Sequence, residues 1–232
     1  MKLLSLVGLA LLAVASPANA VTATFFSDHC TNLCGPQPTG FATITGTDQG
    51  GGVVDITITP LNGNGLVNAG QTTFTFNLIG NPTITYSNLP SGFTVVGGFG
   101  AGSLSENAGA IGQDGFGTFE YGIDYTGANG ANNPLFTPLS FTISGTGLTL
   151  ASFAELSTIP PGDTQAFFAL DILSGTTGNT GLVDVSGGAS PFPQEAPPPA
   201  IPIPGAVWLF AGGLGLFLML YQKKEKPKSA WA

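Results

Sequence analysis

The 232-residue chain carries five lysines and no arginine against thirteen Asp and Glu, a formal net charge of −8, 35 glycines and a single histidine. Between Val21 and Pro204 there is no lysine, while twelve carboxylates fall there, so the body is a polyanion with no Lys or Arg partner for any of them. That excludes nucleic acid, whose backbone is bound mainly through Lys and Arg, and makes direct contact with acidic polysaccharide or lipid headgroups repulsive unless a divalent ion intervenes. Neutral glycans and proteins are the partners left.

Residues 1–20 combine a basic Lys2, the apolar run Leu3–Ala15 and the small-x-small ending Ala18-Asn19-Ala20. This is the pattern of a secretory signal peptide cleaved after Ala20, with a retained N-terminal anchor as the alternative. Export into an oxidising compartment bears on Cys30 and Cys34, the only cysteines, for which a local disulfide is expected. The competing reading takes Asp28, His29, Cys30 and Cys34 as metal ligands, but oxidised cysteines cannot coordinate and the spacing fits no common zinc or haem pattern.

Residues 21–189 read as an antiparallel β-sandwich or jelly roll. Val54, Ile56 and Ile58 alternate with polar residues, as do Phe74, Phe76 and Leu78, then Phe119, Tyr121, Ile123 and Tyr125, then Phe141 and Ile143. That is the period of strands with one buried face. Less regular runs at Thr22–Phe26, Phe41–Thr45, Thr83–Tyr86, Phe93–Phe99, Phe167–Leu173 and Leu182–Val185 bring the expectation to about ten strands. Gly-Asn-Gly, Asn-Pro, Leu-Pro-Ser-Gly and Pro-Pro-Gly-Asp supply the turns between them. Only Leu150–Leu156 is expected to form a helical turn. No fixed repeat supports a solenoid.

Catalytic constellations are hard to assemble in this stretch. With His29 the only histidine and no lysine near any serine, neither a Ser-His-Asp nor a Ser-Lys arrangement is available. Glu120 and Asp124 share a strand face but stand about 13 Å apart along it, beyond the ~5 to 9.5 Å of glycosidase carboxylate pairs. The glycine runs 97–102 and 112–117 lack the following helix of a phosphate cradle and read as loops. Asp114 beside Gly115, and Asp48 before Gly50-Gly51-Gly52, are candidates for calcium, which takes carboxylate and backbone oxygens from loops; no other cofactor is expected. The domain is therefore read as non-catalytic, with a neutral-carbohydrate-binding module as the alternative.

Beyond it, residues 190–204 hold seven prolines in fifteen residues and are expected to form an extended stalk. Gly205–Tyr221 is uncharged, about 25 Å long as a helix, and the segment 205–222 is read as a single transmembrane helix near the lower length limit. Lys223, Lys224, Lys226 and Lys228 in the tail 223–232 mark the cytoplasmic side. The bland reading is an ordinary single-span anchor.

The order of these parts resembles the PEP-CTERM sorting signal of Gram-negative bacteria. The matching residues are Ile201-Pro202-Ile203-Pro204, the Trp-Leu-Phe run around Trp208, the glycines 212, 213 and 215, and Lys223-Lys224. The name-giving motif has glutamate where this chain has Ile203, and the lysine tail is longer than usual. The resemblance covers about the last thirty residues. It implies an exosortase-type processing enzyme as partner, an inner-membrane precursor with its N-terminus outside, cleavage near the proline motif and delivery to the cell surface or an exopolysaccharide-rich matrix.

Overall fold

A computed structural model describes residues 19–30, 34–97, 111–127, 130–159, 163–185 and 190–192. The expected stalk beyond Phe192, the expected transmembrane helix 205–222 and the basic tail lie outside them, as does most of the expected signal peptide. The described residues all fall in one compact unit, Met1–Gln194.

The body is all-β and antiparallel. Strands β1 (Asn19–Phe25), β3 (Ala42–Gly50), β4 (Val53–Pro60), β13 (Leu139–Ser144) and β7 (Thr85–Ser87) form the first sheet in that order. The second sheet runs from β2 (Ser27–Cys30) through β15 (Thr180–Val185) to β14 (Phe168–Leu173). On the far side of β14 sit two short strands end to end, β5 (Gly65–Asn68) and β6 (Phe74–Phe76). Next come β12 (Gly130–Leu135) beside β5, β11 (Tyr121–Tyr125) beside β6, and β8 (Phe93–Gly97) beyond β11. A two-stranded hairpin, β9 (Ile111–Gln113) and β10 (Gly117–Phe119), stands apart. The expected helical turn is a 3-10 turn at Leu150–Phe153.

The alternating runs explain the sandwich. Ile44, Val54, Ile56, Ile58, Phe141 and Ile143 of the first sheet and Phe74, Phe76, Tyr121, Leu170, Ile172 and Val183 of the second join one buried core. Phe74 and Phe141 meet between the sheets with ring centroids 6.2 Å apart. A second, smaller core of Phe116, Phe119, Ala166, Ala169 and Leu182 lies under the β9–β10 hairpin on the other face of the second sheet.

Two sequence expectations divide differently in three dimensions. The run Phe119–Tyr125 is two strands, not one: Phe119 ends β10 and packs in the small core, the chain bends at Glu120, and Tyr121 opens β11 in the main core. Glu120 and Asp124 therefore do not share a strand. Phe192, in the proline-rich stretch, is fully buried, with its ring 5.6 Å from Phe153 and 5.4 Å from Phe168. A Cβ on Gly46 would strike Leu150 Cδ2 at 2.5 Å and crowd that ring at 3.0 Å, so the glycine leaves room for both side chains. The packed body thus reaches into the segment read as stalk.

Candidate functional site

The outward face of the first sheet is built from threonine and serine. Each strand puts alternate residues on each face, and the β-branched Thr is well suited to a pleated surface. The register then lines these side chains up across strands. One row is Thr24, Thr43 and Thr59; the next is Thr22, Thr45, Thr57 and Ser140; the third is Thr47, Asp55, Thr142 and Ser87.

Within the rows the hydroxyls hold one another. Thr22 Oγ1 and Thr45 Oγ1 are 2.8 Å apart, and Thr57 Oγ1 and Ser140 Oγ 2.9 Å. In the third row Asn88 Nδ2 donates to Thr142 Oγ1 at 3.1 Å, and Thr142 Oγ1 donates to Asp55 Oδ1 at 2.7 Å. Gln49 Nε2 takes the other oxygen, Asp55 Oδ2, at 2.8 Å. Asp55, Thr57, Asn88, Ser140 and Thr142 line an open groove of about 320 Å³. Chemically this face offers groups that both donate and accept, already oriented, with one carboxylate whose two oxygens are engaged.

The second sheet carries its carboxylates differently. Its register places Asp171, Thr73 and Asp124 in one row on the face away from the main core. Asp171 is fully buried; its Oδ2 accepts the Ala69 N–H at 2.6 Å and its Oδ1 has no hydrogen-bond partner among the described residues. Burial pushes its carboxyl up to about 7 and the charge of Asp124 adds to this, while the Ala69 and Ile172 amides oppose it. Asp124 accepts from Asn68 Nδ2 at 2.7 Å and from the Thr73 N–H at 3.2 Å, bracing the gap between β5 and β6.

Glu120 and Glu155 form a second acidic neighbourhood. Burial raises both pKa values, and the charge of Glu155 raises that of Glu120 further. The Glu120 N–H donates to Asn77 Oδ1 at 2.8 Å. Two half-buried carboxylates are the kind of pair an acid-only hydrolase would need; the Tyr121 phenol feels the charge of both, and among the described residues no three His, Cys, Asp or Glu side chains converge in a metal-holding group.

The residues singled out in the sequence are scattered. Cys30 and Cys34 form a disulfide with Cα atoms 5.6 Å apart. It closes the end of β2, where the Cys34 carbonyl accepts from Ser174 Oγ at 2.6 Å. His29 donates or accepts at Nδ1 with the Asp114 carbonyl at 3.0 Å, and the Asp114 carboxylate lies 3.6 Å away. Gly115, at φ 79°, leaves the room His29 occupies, because a side chain there would strike the imidazole. Asp48 Oδ1 accepts the Gly50 N–H at 2.8 Å within the β3–β4 turn. The two calcium candidates therefore sit in different hairpins, Asp48 bonded within its own turn and Asp114 beside His29 of β2. Ala20 lies exposed in β1 opposite Thr47. Ala18 and the residues read as a sorting motif, Ile201, Pro202, Ile203, Pro204, Trp208, Lys223 and Lys224, lie outside the described residues.

Sequence reasoning passed over both the hydroxyl rows and Asp171. The first had a signal in three Thr-x-Thr-x-Thr-like runs on strands that pair; the second in Phe-Ala-Leu-Asp-Ile-Leu, where an acid inside an unbroken apolar run belongs to a strand buried on both faces. Comparison with protein-family models, curated proteins and solved structures finds nothing that matches this chain.

Proposed function

We propose that this is an exported cell-surface or extracellular-matrix protein of a Gram-negative bacterium, sorted by an exosortase-type C-terminal signal, whose β body is structural and adhesive rather than catalytic. The observation that carries the adhesive part is the solvent face of the first sheet, an oriented lattice of hydroxyls with no cation in it. Support for export comes from the signal-peptide pattern and from a disulfide of the kind an oxidising compartment maintains. Attachment follows from many weak contacts, which suits a protein that holds a matrix together more than one that turns over a substrate. The test is retention of the full-length protein on the producing cells' own matrix after washing. Loss of all protein in the wash contradicts adhesion.

The second reading, a neutral-carbohydrate-binding module, is favoured by the groove at Asp55, Thr57, Asn88, Ser140 and Thr142. It predicts a discrete sugar site, which an array of soluble glycans would reveal.

A further inference from the structure

The rows on the first sheet have a fixed geometry. Neighbouring strands lie about 4.8 Å apart and successive outward residues about 6.8 Å apart along a strand. A row such as Thr22, Thr45, Thr57 and Ser140 thus presents four hydroxyls over three intervals, about 14 Å. A partner that uses the whole row must be extended over that length and carry donors and acceptors along it. Extended neutral polysaccharides do both, since each sugar presents hydroxyls of the same dual character.

Resting on the adhesive reading, we infer that the solvent face of the first sheet binds a neutral polysaccharide as an extended polymer, laid across the strands along the hydroxyl rows and seated deepest in the Asp55 groove.

Charge removes the main competitors. The rows contain a single carboxylate, Asp55, and no Lys or Arg exists between Val21 and Pro204 to receive a sulfate, phosphate or uronate. An anionic lipid surface would likewise find no basic patch. A protein partner would need buried aromatic or apolar anchors, and Thr and Ser supply none. The same lack argues against a second copy of this face as the occupant, because a face-to-face contact of hydroxyls has no apolar centre.

Energetics decide between polymer and short sugar. A neutral hydrogen bond exchanged with water nets only about 0.5–1.5 kcal/mol, and the aromatic that lines the groove, Phe141, is buried, so among the described residues no ring is exposed there for a sugar to stack on. One or two sugar units therefore gain little over their hydration. Along a polymer the same small gains accumulate as linked binding events. The cross-strand hydrogen bonds also hold the hydroxyls in place beforehand, which lowers the entropy lost on contact.

The experiment is depletion of the full-length protein from solution by particles of cellulose, β-1,3-glucan and mannan, with the matching soluble hexasaccharides as competitors. The variant is Thr45→Val with Thr57→Val, which removes two hydroxyls and keeps a β-branched side chain; Thr94→Val, exposed on β8 of the other sheet, is the control. The expected result is depletion by at least one neutral polymer, no competition by its hexamer, a tenfold or larger loss for the double variant at unchanged Tm, and none for the control. Full competition by the hexamer, equal binding by the double variant, or no depletion by any of the three polymers overturns the inference. If the producing cells' matrix retains wild type and double variant equally, this face is wrong and the adhesive reading stands. If that matrix retains neither, both fall.

Discussion

Asp171 concentrates the physical tension in the body. It is a carboxyl sealed in the second sheet with one oxygen satisfied and one not, and its pKa is pushed to about 7 by burial. In the unfolded chain it ionises near 3.8. Between those values the unfolded state has released a proton that the folded state keeps, so stability falls as pH rises through this window and levels off above it. At about 1.4 kcal/mol per pKa unit the full effect is a few kcal/mol. Burial raises Glu120 and Glu155 as well, which tilts the profile in the same direction. Urea unfolding between pH 4 and 8 is expected to show the midpoint climbing as pH drops, and Asp171→Asn is expected to flatten that slope and raise stability at pH 8. An unchanged slope in the variant would mean that other groups carry the dependence. The residue was legible only in part: its place in an apolar run announces burial, but its contact with the Ala69 amide and its nearness to Asp124 depend on how distant segments pair.

At the scale of elements, strict alternation was a dependable guide where one face met the core, and it located β4 and β13 closely. It misled at Phe119–Tyr125, because alternation does not say which core each side chain enters. It gave nothing for β12, where Asn133 at φ 52° and Pro134 interrupt the strand pattern. Phe192 was hidden by composition, since seven prolines in fifteen residues outweigh one phenylalanine. Its ring fills space between Phe153 and Phe168, so Phe192→Ala is expected to cost about 3–5 kcal/mol in urea unfolding. A cost below 1 kcal/mol would show that the segment merely rests on the body. The Cys30–Cys34 bridge closes a very short loop and is expected to contribute about 2 kcal/mol. Comparing the wild type with the Cys30→Ser, Cys34→Ser pair measures it, and mass spectrometry without reductant should find no alkylatable thiol.

On the scale of the whole molecule, sequence sufficed for the class of fold and not for its pairing. Short runs separated by turn residues called for an antiparallel sandwich; that β1 pairs with β3, and that β5 and β6 share one side of β14, are long-range choices set by core packing. The hydroxyl face belongs to the same category, because its rows exist only in register. Charge distribution, by contrast, was fully legible, and it yields a prediction about the environment. A body of twelve carboxylates with no Lys or Arg can hold to an acidic polymer only through bridging cations, so retention of the full-length protein on alginate should require calcium and vanish with chelator. Retention after chelation would reveal another contact. The proposed export and sorting turn on where the mature chain ends. A permanent anchor keeps the apolar segment and its lysines, whereas a sorting signal loses them. Intact-mass measurement on protein extracted from the cell surface decides the matter: processed material is expected to begin at Val21 and end between Pro202 and Gly205, without Trp208 or anything beyond it, and a species that retains Trp231 and fractionates with the inner membrane would contradict the account.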